Sequence, residues 1–151
     1  MLHIVLVEPQ IPPNTGNISR LCAAMGLPLH LVKPLGFSTD DRELKRAGLD
    51  YWKHVSLFYH ESFEELRAAF PKNRFFFFST KVKRPYTAAA FREGDFLVFG
   101  NETKGLPEPL LQAHADFALT IPMTGPVRSL NLSSSVAMVT GEALRQLGEK
   151  T

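Results

Sequence analysis

The sequence predicts an α/β domain in which a mostly parallel sheet is flanked by helices. Three observations carry that expectation. Short apolar runs, from LHIVLV at Leu2–Val7 to RFFFFS at Arg74–Ser79, lack polar alternation, the pattern of strands covered on both faces. Segments with apolar residues at helical spacing separate them, and such alternation of element types argues for parallel strands joined through helices. The 151 residues, 44% hydrophobic and 21% charged, suffice for one core and carry no bias toward disorder or collagen.

Leu2–Val7 reads as the first strand because it is β-branched and apolar and ends at a Pro/Asn/Gly-rich loop. Ile18, Leu21, Cys22 and Met25 then recur at helical spacing, and Gly26 and Pro28 close that helix. Leu29–Lys33 is a second strand. TDDRELKRAG follows as a short charged helix, with Asp40 and Glu43 at capping-box spacing. His54–Tyr59 is a third strand. Ser62 and Glu65 form a second capping box ahead of Phe63, Leu66 and Phe70 on one helix face. Arg74–Ser79 is the fourth strand, followed by the basic loop TKVKRPY. DFLVFG is the fifth and Asp116–Pro122 the sixth. Leu132, Val136, Val139, Ala143 and Leu147 mark a long closing helix.

The totals narrow the function classes. A formal net charge of +2 means that an anionic partner must be met by a local patch, not by the field of the whole molecule. One cysteine, Cys22, excludes an internal disulfide and suits a reducing compartment; it falls on the apolar face of the first helix, where packing outweighs nucleophilic work. The opening MLHIVLVEP has no basic leader or cleavage site, and no apolar run reaches bilayer length, so a cytoplasmic protein without a membrane partner is expected.

Three small, polar stretches stand just beyond strands: NTGNISR (Asn14–Arg20), FGNETKGLP (Phe99–Pro107) and RSLNLSSSVAMV (Arg128–Val139). In open α/β sheets ligands bind outside the carboxyl ends of the strands. Glycine permits close backbone approach and helix starts offer free amides, so these loops suit a nucleoside-like ligand held by the main chain. GNETKGLP has the G-x-x-x-x-G spacing of a phosphate loop, but Leu106 and Pro107 occupy the Lys and Ser/Thr positions. The dinucleotide fingerprint and the G-x-S-x-G elbow are missing, and the five histidines are scattered without metal-ligand spacing. A polar site with no metal and no obvious nucleophile remains.

NTGNISR, FGNETKGL and IPMTGPVRSLNLSSSVA, in that order, resemble the three signature motifs of the SpoU branch of the SPOUT superfamily of RNA methyltransferases. EPQIPPNTGNISRLCA and KRAGLDYW narrow the resemblance to its minimal members, which methylate the ribose of tRNA wobble nucleotide 34, a cytidine or a modified uridine. The likeness runs over essentially the whole chain. It implies a single SPOUT domain over residues 1–151 with no appended RNA-binding domain, a C-terminal trefoil knot, S-adenosylmethionine as methyl donor, no metal, and a homodimer acting on the tRNA anticodon stem-loop.

The same resemblance assigns roles. Phe78, Gly100, Ile121, Ser129 and Leu130 would line the cofactor pocket. Arg20 matches an arginine at the reacting ribose. A guanidinium is a permanent cation in proteins, which argues against a base and for a phosphate clamp and alkoxide stabiliser; the structural alternative is a salt bridge to Glu102. Asn14, Ser129 and Asn131 would orient the site, or else serve as caps and turn residues. Glu102 would anchor Arg20 or a loop amide. Lys81, Lys83 and Arg84 would contact RNA, or form a solvated basic loop; Arg42, Lys45 and Arg46 read as a solvated helix face. Two other functions share the resemblance: a ribosomal-RNA methyltransferase of the same branch, and a non-catalytic RNA-binding protein of this fold.

Overall fold

The computed structural model describes residues 1–38 and 53–148. The expected charged helix with Asp40 and Glu43, the cluster of Arg42, Lys45 and Arg46, and the whole of KRAGLDYW lie outside the described residues. In chain order the elements are β1 (His3–Val7), α1 (Pro12–Met25), β2 (Leu29–Val32), β3 (Leu57–His60), α2 (Phe63–Ala69), β4 (Phe75–Phe78), β5 (Phe96–Phe99), α3 (Glu108–Ala113), β6 (Ala118–Leu119) and α4 (Leu132–Gly148). The six strands form one sheet in the order β3-β2-β1-β5-β4-β6. Every pairing between these strands is parallel, as expected of a mostly parallel sheet.

Alternation along the strands divides the core into two layers. Ile4, Leu6, Phe76, Phe78, Leu97 and Phe99 pack with Ile18 and Cys22 of α1 and with Val136, Val139 and Ala143 of α4. Val5, Val7, Phe75, Phe77, Phe96 and Val98 face the other way, against Phe63 and Leu66 of α2 and Leu111 of α3. The four phenylalanines therefore serve both layers, two each, and all four are buried. Cys22 is buried too, and desolvation pushes its thiol up to about 12, in keeping with a packing role.

Several boundaries differ from the sequence reading. NTGNISR is not a loop but the opening turns of α1, which begins at Pro12. Prolines at the first two helical positions need no amide partner and preset φ for the helix, so the asparagines and glycine behind them do not break it. The helix ends as expected at Gly26, in left-handed backbone at φ 68°, where Leu27 N–H donates to the Cys22 carbonyl. The third strand is shifted toward Leu57–His60. The sixth shrinks to Ala118–Leu119, because Ala115–Phe117 form a 3-10 turn before it. The short α3 and the 3-10 turn Tyr86–Ala88 were not anticipated. Half of the second capping box forms: Ser62 Oγ accepts from Glu65 N–H at 3.1 Å.

Candidate active site

The carboxyl ends of β1, β5, β4 and β6 lie side by side, and the segments leaving them converge. A cavity of about 260 Å³ sits there on the α4 side of the sheet, near the lower end of the roughly 300–1,000 Å³ usual for small-molecule clefts. Phe78, Gly100, Ile121, Ser129 and Leu130, the five expected pocket residues, all line it. Phe78 and Phe99 stack at 4.7 Å between ring centroids and form an apolar floor. Gly100 is required by packing: a Cβ there would stand 2.1 Å from the Gly105 carbonyl carbon and 2.2 Å from Leu106 N. The turn after β5 thus folds back onto its own start, and a side chain at Gly100 would force it open.

The opposite wall comes from the segment after β6, through Ile121, Met123, Ser129 and Leu130. Across Ile121–Leu130, no backbone or side-chain hydrogen bond joins the stretch to any other described residue. Immediately upstream, by contrast, Thr120 N–H donates to the Arg84 carbonyl and Tyr86 N–H to the Thr120 carbonyl, both at 2.8 Å. Backbone amides and carbonyls require partners; along this wall those partners are solvent or a ligand. Such a lining matches the requirements of a nucleoside-bearing molecule, with apolar surface for a base and main-chain groups for its edge. None of the described residues forms a cluster able to hold a metal ion.

A chain of polar contacts ties the three motifs together. Glu102 accepts from Gln10 N–H at 2.9 Å and from Ile11 N–H at 2.8 Å. Its carboxylate also accepts from Asn14 Nδ2 at 3.3 Å. Ile11, the residue before α1, offers no side-chain cap, so Glu102 caps the helix from a distant part of the sequence. Asn14 Oδ1 in turn accepts from Asn131 Nδ2 at 3.0 Å. Asn131 Oδ1 accepts from Ser133 N–H at 2.9 Å and from Ser133 Oγ, capping α4. Asn131 thus caps a helix with its oxygen and joins Asn14 with its nitrogen. Of the alternatives for Glu102, anchoring loop amides is what the geometry displays.

The remaining candidates are spread more widely. Arg20 is exposed on α1 and is not part of the cavity wall. Lys81 lines the cavity rim and pairs with Glu108 at 3.0 Å. Lys83 and Arg84 are exposed farther along the same loop and do not line it.

One polar feature escaped the sequence reading. His3, His30 and His60, on adjacent strands, form a row: His3 Nδ1 lies 2.9 Å from His30 Nε2, and His30 Nδ1 lies 2.9 Å from His60 Nε2. Desolvation, with the chain amino terminus adding to it, lowers the His3 pKa to about 4. Burial, helped by the two neighbouring imidazoles, lowers that of His30 to about 3. His60 is lowered by burial against the opposing pull of Glu65. The one signal in sequence was His30, a polar residue inside the apolar run Leu29–Lys33.

Known proteins resemble the chain along nearly its full length. Residues 1–141 match the SpoU rRNA methylase family. The tRNA (cytidine(34)-2'-O)-methyltransferase of Methylovorus glucosotrophus is 51% identical over 147 residues, covering 97% of this chain and 96% of that protein. A solved structure that addresses the 2-OH methylation of C/U34 on tRNA superposes with a TM-score of 0.93 at 52% identity, over 99% of this chain and 97% of that one. A SpoU methyltransferase of Streptomyces viridochromogenes, in complex with the cofactor AdoMet, shares the fold at a TM-score of 0.84 and 24% identity, over 99% of this chain and 61% of that one.

Proposed function

The chain belongs to the SpoU methylase family, and from that premise we propose that it methylates the ribose 2'-hydroxyl of tRNA nucleotide 34, a cytidine or modified uridine, using S-adenosylmethionine. Near-identical length and about half the residues are shared with proteins named for that reaction. The observation within this chain that carries the reading is that Ile121, Met123, Ser129 and Leu130, from a segment with no hydrogen bond to other described residues, line a cavity floored by stacked phenylalanines. The reading includes a single domain working in the cytoplasm, where its substrate is found, and a trefoil knot made by the segments that follow β4, β5 and β6. None of the described helices is long and apolar enough to cross a membrane.

S-adenosylmethionine, when bound, supplies a methyl group on a sulfonium, so the transfer is an in-line displacement that needs alignment and charge stabilisation more than proton chemistry. Phe78, Gly100, Ile121, Ser129 and Leu130 hold that cofactor. The Glu102–Asn14–Asn131 chain fixes the three segments at the distances alignment requires. Arg20, always charged, clamps the substrate phosphate and stabilises the developing alkoxide, and the hydroxyl proton passes to the phosphate. Lys81, Lys83 and Arg84 meet the anticodon stem-loop backbone.

Arg20 lies outside its own cavity, and a homodimer resolves that separation. Ile11, Met25 and Met138 are exposed apolar residues on the α1–α4 layer. A second copy packed there would cover them and carry the Arg20 of each chain toward the other's cavity.

The test is incubation of purified protein with labelled cofactor and, in parallel, bulk tRNA or ribosomal RNA, with ribose methylation mapped by mass spectrometry. Methylation at nucleotide 34 is expected. Label in ribosomal RNA alone would favour the ribosomal alternative, and cofactor binding without incorporation would favour a non-catalytic RNA binder. Arg20→Ala is expected to retain cofactor affinity and lose turnover on the order of 100-fold.

A further inference from the structure

The strands β1 and β5 are neighbours, yet the chain leaves them toward opposite sides. After β1 it enters α1, whose Ile18 and Cys22 pack on one face; after β5 it enters α3, whose Leu111 packs on the other. The crevice between two such strand tips is the topological switch point, where open parallel sheets take their ligands. Two hollows meet there. One, of about 370 Å³, shares Lys81, Asn101 and Lys104 with the candidate cofactor cavity. The second, of about 540 Å³, opens between α2 and α3. Glu8 belongs to both.

Glu8 is the only non-glycine residue with positive φ among the described residues, at 53°. That backbone is costly for a residue with a Cβ and persists because its surroundings impose it: Glu8 N–H donates to the Val32 carbonyl, and its carbonyl accepts from Gln10 Nε2, each at 2.9 Å. The half-buried carboxylate has no hydrogen bond or ion pair with any described residue. A strained position at the tip of a central strand, carrying an unengaged acceptor into two connected hollows, is a place for a ligand.

We propose that Glu8 and the hollow between α2 and α3 receive the base of a nucleotide adjoining the methylated ribose, the carboxylate accepting from an amino or imino edge. The inference rests on the tRNA-methyltransferase reading. A carboxylate only accepts hydrogen bonds, so its partner presents N–H groups. Val7, Phe63 and Leu110 offer apolar surface to a planar ring. His114, its pKa lowered by burial and then by Arg67, stays neutral and serves as donor or acceptor. Lys33 is already paired with Glu61 at 3.1 Å and Lys81 with Glu108 at 3.0 Å. Arg67, the other cation lining the hollow, donates to the Phe70 carbonyl at 3.1 Å and lies over the Phe75 ring. With Glu64 also on the rim, the hollow is not a phosphate trap, so a nucleotide enters base first. The connecting hollow gives the strand a route from this base to the cofactor cavity.

The test uses anticodon stem-loops in which nucleotide 33 or 35 is abasic, with wild type, Glu8→Gln and Glu8→Gly. Glycine suits the left-handed backbone, so Glu8→Gly keeps the thermal midpoint and isolates recognition from folding. Both variants are expected to raise KM for the intact stem-loop about tenfold, with kcat within about twofold and cofactor affinity unchanged. Removing one of the two bases should raise the wild-type KM similarly and add nothing to either variant. Unchanged KM in the variants, or losses that add, would overturn the subsite. If wild type methylates no tRNA, the parent reading fails instead. Binding of the same oligonucleotides by fluorescence anisotropy still decides the subsite, by the same tenfold and non-additive pattern.

Discussion

Two polar chains cross this molecule, and they differ in what surrounds them. The histidine row runs through the sheet over β1, β2 and β3, stacked on aromatic rings such as Phe96 and Phe58. The Glu102–Asn14–Asn131 chain runs over the carboxyl edge of the sheet beside the cavity. Each links three segments distant in sequence. The row contains strongly lowered pKa values, yet none of its histidines lines the cavity; the edge chain contains two amides and one carboxylate, yet it joins the segments of the three motifs beside the cavity. Perturbed titration alone therefore does not locate function here. Buried imidazoles neutralise and bond to one another, which is a structural solution, while the site is recognisable by hydrogen-bonding groups left open to a ligand.

The sharpest break of this contrast is Glu102→Ala. Removing the carboxylate releases Gln10, Ile11 and Asn14 together. Turnover is expected to fall on the order of 100-fold through misalignment, and stability by about 2 kcal/mol; single-turnover kinetics and thermal melts measure the two. His30→Ala should do the reverse. It strips both neighbours of their partner and leaves a void, so about 2 kcal/mol of stability is expected to go. Turnover of the folded protein should stay within about twofold.

Acid sharpens the same distinction. The folded pKa values of His3 and His30, about 4 and about 3, lie below the unfolded value of about 6.5. The unfolded chain therefore binds more protons in between. The row's stability is fully present above about pH 6.5 and is lost as pH falls through the window toward 4 and then 3. Melting temperature should decline across that range in wild type and more shallowly in His30→Phe; equal slopes would mean the row does not control acid stability. The smallest effect belongs to the rim: Lys81→Ala breaks an exposed pair with Glu108, so stability should change by less than about 1 kcal/mol. KM for tRNA should rise a few-fold, with a weaker salt dependence.

The layered fold was legible because the strands are near-continuous apolar runs and the helices keep their period. Phe75–Phe78 could be placed in a doubly covered strand from composition alone. The cavity residues were legible through motif order rather than physics, since Ile121 and Leu130 look like ordinary core residues and gain their place only when β6 breaks off after Leu119. Helix α1 was misjudged at its start because its cap is Glu102, a residue that no local window contains. The histidine row escaped for the same reason: parallel register sets Val5 beside His30 and His30 beside Phe58. Spacing within one strand cannot reveal neighbours supplied by two others.

Asn14 and Asn131 are separated by 117 positions, and Asn14 and Glu102 by 88. Long closures of this kind add little to the entropy bill per extra residue but delay assembly, because distant partners must first be brought together. During synthesis the early segments would therefore emerge with Asn14 still lacking both neighbours. Competence arrives only when the final helix docks, so a prematurely terminated chain would be inert rather than partly active.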